Sequence, residues 1–166
     1  MRETVVLTEE RAKMLRRKKE WIERIEKLSN CKISIEDQEA VIEGEDPLII
    51  LRVKEVFRAL NRGFDLDSAL YLLDENYFLE IIDVKEYGKT RERQLQLKGR
   101  VIGRKGSIKK MIEEKTNTKI CIHGKTISII GRWENLQVAK RAIEMLLEGK
   151  MHSSVQRFLE KNIVGY

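Results

Sequence analysis

Two glycines three positions apart, Gly103 and Gly106, enclose two bases, Arg104 and Lys105. Glycine accepts backbone angles that a Cβ forbids and lets another molecule come close to the main chain. The amides of a tight turn that opens a helix point outward as donors for anionic oxygens. Two cations at the same spot add the matching charge. The chemistry this predicts is a grip on a sugar–phosphate backbone, with no bond made or broken.

The motifs of catalysis point elsewhere. The spacing of Gly99, Gly103 and Gly106 matches neither the dinucleotide fingerprint nor a P-loop, which needs four residues between its glycines and then Lys-Ser/Thr. Cys31 and Cys121 lack metal-ligand spacing and make no disulfide framework. His123 and His152 are far apart; His152 is expected to help start the last helix. No metal and no cofactor are expected. A carboxylate-bound metal nuclease is the enzymatic alternative in a chain with 27 acids.

The elements that must position the turn follow from periodicity. A helix-compatible run through Ile108, Met111 and Ile112 follows it. Then come Thr118–Ile122, a polar tip from His123 to Thr126, and Ile127–Gly131, read as strand, hairpin, strand. An amphipathic helix from about Trp133 to Leu147 closes the unit, with Gly149 at its C-cap. Upstream, Phe78–Val84 alternates as an opening strand. Downstream, Ser153-Ser154 is expected to cap a final helix through Val155, Phe158 and Leu159.

At 166 residues, 42% apolar and 36% charged, the chain has the size of one ordinary domain or two small ones. Its longest apolar run falls far short of the ~20 residues that span a bilayer. With no signal-peptide pattern at the amino terminus, the expected compartment is the cytoplasm. The net charge of +6 is segregated: Arg91 to Lys115 carries nine bases against three acids, whereas Glu36 to Asp46 carries six acids and no base. A basic face among acidic surfaces fits a polyanion partner.

Shifting the sequence by 87 residues lays Arg16–Gly44 on Gly103–Gly131 without a gap, with ten of 29 positions identical. The identities are Arg17, Lys18, Ile25, Glu26, Asn30, Lys32, Ile33, Ile35, Ile42 and Gly44. One structural unit is used twice. The first copy is expected as a strand Thr4–Leu7, a helix opened by Thr8, a second helix through Trp21 and Ile25, strands Lys32–Ile35 and Ala40–Glu43, and a helix ending near Leu60. Where the second copy has its glycines, the first has Arg16-Arg17-Lys18-Lys19, expected to be absorbed into one long helix. Its hairpin tip, Glu36-Asp37-Gln38-Glu39, repels phosphate. A short linking helix is expected to start at Asp67-Ser68.

The order helix–GxxG–helix–strand–strand–helix resembles the eukaryotic-type KH domain, whose loop clamps about four nucleotides of single strand. The fold class expected is α+β: two tandem eukaryotic-type (type I) KH-like units, each a three-stranded antiparallel sheet packed by helices. Residues 1–62 form a degenerate unit without GxxG, 63–77 a linking helix, and 78–166 a KH unit with GxxG and a C-terminal helix. With Leu72-Leu73-Asp74-Glu75 between the copies, Lys98–Gly106, Ala142–Gly149, His152 and Arg157–Glu160, the chain resembles the archaeal Krr/Dim-two family, which is similar to the eukaryotic partner-of-NOB protein. It departs from the family in the first unit, where archaeal members often keep a GxxG-like loop.

The resemblance implies a small-subunit ribosome assembly factor that binds the 3′ region of small-subunit rRNA through the second unit. It also implies as partners the NOB endonuclease, the dimethyladenosine transferase and the alpha subunit of initiation factor two. Single-stranded RNA is expected in a groove between the turn and the strand Lys119–His123. Amides with Arg104 and Lys105 hold phosphates there, and Val101, Ile102, Ile120 and Ile122 form an apolar floor. Base edges meet the strand and Arg100 or Lys109. Lys125 sits at the hairpin tip with His123, itself an RNA contact or simply exposed. The first copy is read as a KH-like fold used for packing or for a protein partner. The alternatives for the whole chain are a protein-docking adaptor and an exosome-cap-like KH protein, although no stretch supplies the extra barrel such a cap carries.

Overall fold

The structure, a computed structural model, describes residues 1–162; the last residues of the predicted C-terminal unit, 163–166, lie outside them. The chain forms two compact units, Met1–Tyr77 and Phe78–Tyr166.

The first unit runs β1 (Arg2–Val6), α1 (Glu9–Arg17), α2 (Lys19–Ser29), β2 (Lys32–Glu36), β3 (Glu39–Glu43), α3 (Pro47–Asn61), α4 (Leu66–Leu70) and a 3-10 turn, Tyr71–Leu73. Its sheet has the order β1-β3-β2, antiparallel throughout. Thr8 caps α1 through Arg11 N (3.3 Å). Two local expectations are corrected. α1 and α2 are not one helix, because Lys18 leaves helical geometry at φ −91°, ψ 61°, its amide closing α1 on Met14 and Leu15. The turn sets α2 so that Ile25 is fully buried, and Lys18 lies over the ring of Trp21 (5.5 Å). The linking helix α4 is capped by Asp65 rather than Asp67. The Asp65 carboxylate accepts from Ser68 N (3.4 Å), while Asp67 pairs with Arg24 (2.8 Å).

The second unit repeats the plan: β4 (Tyr77–Asp83), α5 (Arg91–Ile102), α6 (Ser107–Thr116), β5 (Lys119–His123), β6 (Thr126–Arg132), α7 (Trp133–Leu147) and α8 (His152–Lys161). Its sheet has the order β4-β6-β5, so β5 is an edge strand. Ile112, Ile127, Ile129, Leu136 and Ile143 are fully buried between sheet and helices. α7 ends in a Schellman turn: Gly149 (φ 93°) donates to Leu146 O (3.1 Å), and Lys150 N to Met145 O (2.9 Å). α8 begins one residue before the expected serine cap. Met151 is its N-cap and His152 its first residue, and Val155 and Leu159 complete the core.

The repeated identities have structural causes. Glu26 and Glu113 each reach from a helix to the strand after it, accepting from Ile33 N and Ile120 N at 2.8 Å. Asn30 and Asn117 end α2 and α6 in the left-handed conformation. A Cβ on Gly44 would meet Cys31 Sγ at 3.0 Å, and one on Gly131 would meet Thr118 Cγ2 at 2.7 Å.

Two groups tie the second unit's stability to alkaline pH. A hydrogen bond from Lys140 on α7 to Glu80 on β4 (3.1 Å) raises the lysine's pKa, and burial, aided by Glu144, Glu148 and Glu86, raises that of Tyr87. Both hold their protons more tightly folded than unfolded. Their contribution is therefore complete below the ordinary values of 10.5 and 10.0 and is lost as pH rises through the raised ones. Through these groups the melting temperature is expected to be flat in pH around neutrality, where their contribution is complete, and to drop in alkali. The double variant Lys140→Met/Tyr87→Phe should show a shallower alkaline drop, and an unaltered drop would contradict the assignment.

Candidate nucleic-acid interface

The turn between α5 and α6 is a discrete structure. Gly103 adopts φ 73°, ψ 176°, a region essentially reserved for glycine. A Cβ there would lie 2.3 Å from Ile108 Cγ1 and 2.8 Å from Ile108 N, because Ile108 folds back beneath the turn. Lys105 is left-handed (φ 55°, ψ 30°), which costs a non-glycine residue roughly 1–2 kcal/mol. Gly106 follows at φ 77°, ψ 12°, and a Cβ on it would meet nothing within 4 Å. The two glycines thus serve different ends: Gly103 is required by the protein's own packing, whereas Gly106 leaves open space outside the turn. No side chain caps α6, and the amide of its first residue, Ser107, donates to Arg104 O within the turn. Arg104 and Lys105 are exposed and form no ion pair among the described residues.

The flanking residues divide by burial. Ile102 and Ile122 are half-buried, as a groove floor requires. Val101 is fully buried and Ile120 4% exposed, so of the four residues expected as an apolar floor only Ile102 and Ile122 keep appreciable surface outside the core. The reason is phase: Val101 shares a helix face with Leu97, and Ile120 points from β5 into the core. Arg100 is not the free base that its place beside the turn suggests. Its Nε donates to Leu146 O (3.0 Å) and its Nη2 to Lys150 O, so the guanidinium is engaged at the end of α7. Lys109 is partly buried and pairs with Glu113 (3.4 Å).

Strand alternation separates the remaining side chains. Ile120 and Ile122 lie on one side of β5, and Lys119, Cys121 and His123 on the other. Lys119 is exposed, His123 half-buried. What β5 offers the groove is main chain. Ile120 N points off the sheet edge to Glu113, and two residues on, the N–H and C=O of Ile122 take the same direction. Lys125 is exposed at the hairpin tip, where its carbonyl accepts from Val84 N (2.9 Å). Sequence reasoning missed Lys98, whose Nζ donates to Gly124 O (2.8 Å) and ties α5 to the tip. A contact 26 residues apart leaves no local signal.

In the first unit a cavity of about 290 Å³ lies at the equivalent place, lined by Arg16, Lys19, Ile22, Glu23 and Ile35 among others. Side chains fill the glycine positions, and Arg16 donates to Asp37 O (2.6 Å). Ile22 and Glu23 stand where the second unit has Lys109 and Lys110.

Comparison with known proteins bears on the family and the fold. The sequence pattern of the eukaryotic-type KH domain (KH-domain type I), in the form of the second KH domain of PNO1, matches residues 78–163. The crystal structure of Dim2p from Pyrococcus horikoshii is 36% identical, superimposes with a TM-score of 0.88, and covers 97% of this chain and 99% of that one. The chain belongs to the Krr/Dim-two family. Another structure holds P. horikoshii aDim2p in a complex with a/eIF2alpha and rRNA (TM-score 0.87, 36% identity, 97% of this chain and 93% of that one). The KH domain-containing protein MJ0443 of Methanocaldococcus jannaschii is 38% identical over 82% of this chain. The RNA-binding protein pno1 of Drosophila melanogaster is 35% identical over 68%. The matched region spans 63% and 48% of the length of these two curated relatives. Among the described residues no helix is long and apolar enough to cross a membrane, and no group of three or more His, Cys, Asp or Glu is placed to hold a metal ion.

Proposed function

We propose that this Krr/Dim-two protein is a cytoplasmic, single-stranded RNA-binding factor of small-subunit ribosome assembly, and that its second unit grips the 3′ region of the small-subunit rRNA. The observation that carries this reading is the open space at Gly106, beside two cations without ion-pair partners and a helix start that no side chain caps. A phosphate fits there without displacing any side chain. One step along the groove, a base set on Ile102 and Ile122 would meet the N–H and C=O of Ile122 as a donor–acceptor pair. Phosphate contacts position the strand, and base contacts specify it. The proposed role is binding alone, without catalysis.

The rRNA and the initiation factor subunit held by the P. horikoshii relative support those two partners for this chain. The NOB endonuclease and the dimethyladenosine transferase rest on family resemblance and are proposed as assembly neighbours. The first unit, with its glycine positions filled and an acidic tip, is proposed to serve packing or a protein partner.

Crosslinking in cells followed by sequencing of the attached RNA tests the reading. Reads should concentrate at the 3′ region of the small-subunit rRNA; reads spread over unrelated transcripts would overturn the assembly role. In titration, about four held phosphates give log K against log salt a slope near −3, from roughly −0.7 per single-strand contact. A flat profile would reject the phosphate grip.

A further inference from the structure

A second cleft lies beyond the turn, on the same unit. It encloses about 310 Å³ and is lined by Arg91, Gln94, Leu95 and Lys98 of α5 with Gly124 and Lys125 of the hairpin tip. Three of these six are basic and none is acidic. Arg91, Leu95 and Lys98 fall on one stripe of α5, and the next residue of that stripe is Ile102, the groove floor beside the turn. Leu95 is 55% exposed at the cleft, an apolar side chain with no covering partner. Arg91 and Lys125 are exposed and form no ion pair among the described residues.

The internal repeat shows that this cleft is an addition. Leu7 N donates to Gln38 O (2.7 Å), and Val84 N makes the corresponding bond to Lys125 O (2.9 Å). Arg16 follows Leu7 by nine positions, yet Gly103 follows Val84 by nineteen. The extra length forms a 3-10 turn and the first five residues of α5, Arg91 to Leu95. The unit that keeps GxxG therefore also has the longer helix and the basic tip. At the first unit's tip stand Asp37 and Gln38.

We propose that the RNA track continues past the turn along this stripe. Arg91 and Lys125 hold phosphates, and Leu95 seats a base. From Ile102 to Arg91 the helix rises about 16 Å, room for two or three nucleotides beyond the four or so at the turn. The proposal rests on the single-strand reading of the GxxG turn, and its test separates the two.

The experiment is fluorescence anisotropy with labelled, randomised-sequence RNAs of about five and about ten nucleotides, the shorter one near the footprint of the turn alone. Arg91→Glu and Leu95→Ala should leave the five-mer unchanged and weaken the ten-mer about tenfold, and Arg91→Glu should flatten the ten-mer's salt slope by about 0.7 or more. Unchanged melting curves would show that both variants fold. Equal binding of the ten-mer by wild type and both variants would overturn the extended track while leaving the turn's role intact. Loss of the five-mer in Arg91→Glu would also overturn it, since the cleft would then belong to the central groove. Gly106→Asp should remove both RNAs; if it removes neither, the reading at the turn fails instead.

Discussion

Gly106→Asp is expected to lower affinity for single-stranded RNA at least about 100-fold while leaving the fold in place. A like charge set against a bound anion costs several kcal/mol, and the new carboxylate occupies the space where a phosphate approaches. The native conformation survives because a Cβ at Gly106 meets nothing within 4 Å. The remaining cost is the left-handed backbone, about 1 kcal/mol, and aspartate bears it better than most residues. Gly103 gives no such clean test. Any side chain there runs into the backbone and side chain of Ile108, so Gly103→Asp confounds lost binding with a rebuilt turn. Gly106→Ala serves as the control: it has the same backbone strain, no charge, and an expected loss of only a few-fold. A titration in which Gly106→Asp binds like wild type, with an unchanged circular dichroism spectrum, would remove the basis for the RNA reading.

The split between the two glycines also marks how far the sequence was legible. Spacing alone located the turn, and periodicity located nearly every helix and strand, because those signals are local. The gapless repeat carried the architecture across both units: Glu26 with Glu113 and Asn30 with Asn117 hold equivalent posts. What local pattern could not give is which of several neighbouring groups faces outward. Val101 and Ile102 are adjacent and equally apolar, yet only the helix phase set by packing against α7 sends one inward. Arg100 reads as a free base beside the turn, and only the folded chain shows the end of α7 taking it. The break at Lys18 was invisible for a related reason. Arg16–Lys19 has no helix-breaking residue, and the bend at Lys18 goes with the full burial of Ile25 on the helix after it.

Glu113 joins fold and site through its two carboxylate oxygens, and its variants should separate the two. One carboxylate oxygen accepts from Ile120 N on β5 (2.8 Å), the other pairs with Lys109 beside the groove (3.4 Å). Glu113→Ala leaves the partly buried amide of Ile120 without its acceptor, at an expected cost of about 2 kcal/mol, read as a lower denaturation midpoint with unchanged slope. β5 would loosen with it, and RNA affinity should fall because Ile122 is on the same strand. Glu113→Gln keeps an oxygen for the amide but releases Lys109 from its charge partner. Stability should then fall by less than half as much, while RNA binding should hold or tighten and the salt slope steepen by up to about 0.7, the share of one further phosphate contact. In the first unit Glu26→Ala removes the equivalent bond to Ile33 N. It should destabilise that unit by a similar amount and leave affinity for RNA unchanged, because no phosphate-binding turn stands beside it. Equal loss of RNA binding in Glu26→Ala and Glu113→Ala would mean that the first unit holds RNA as well, against the division of labour argued from its filled glycine positions.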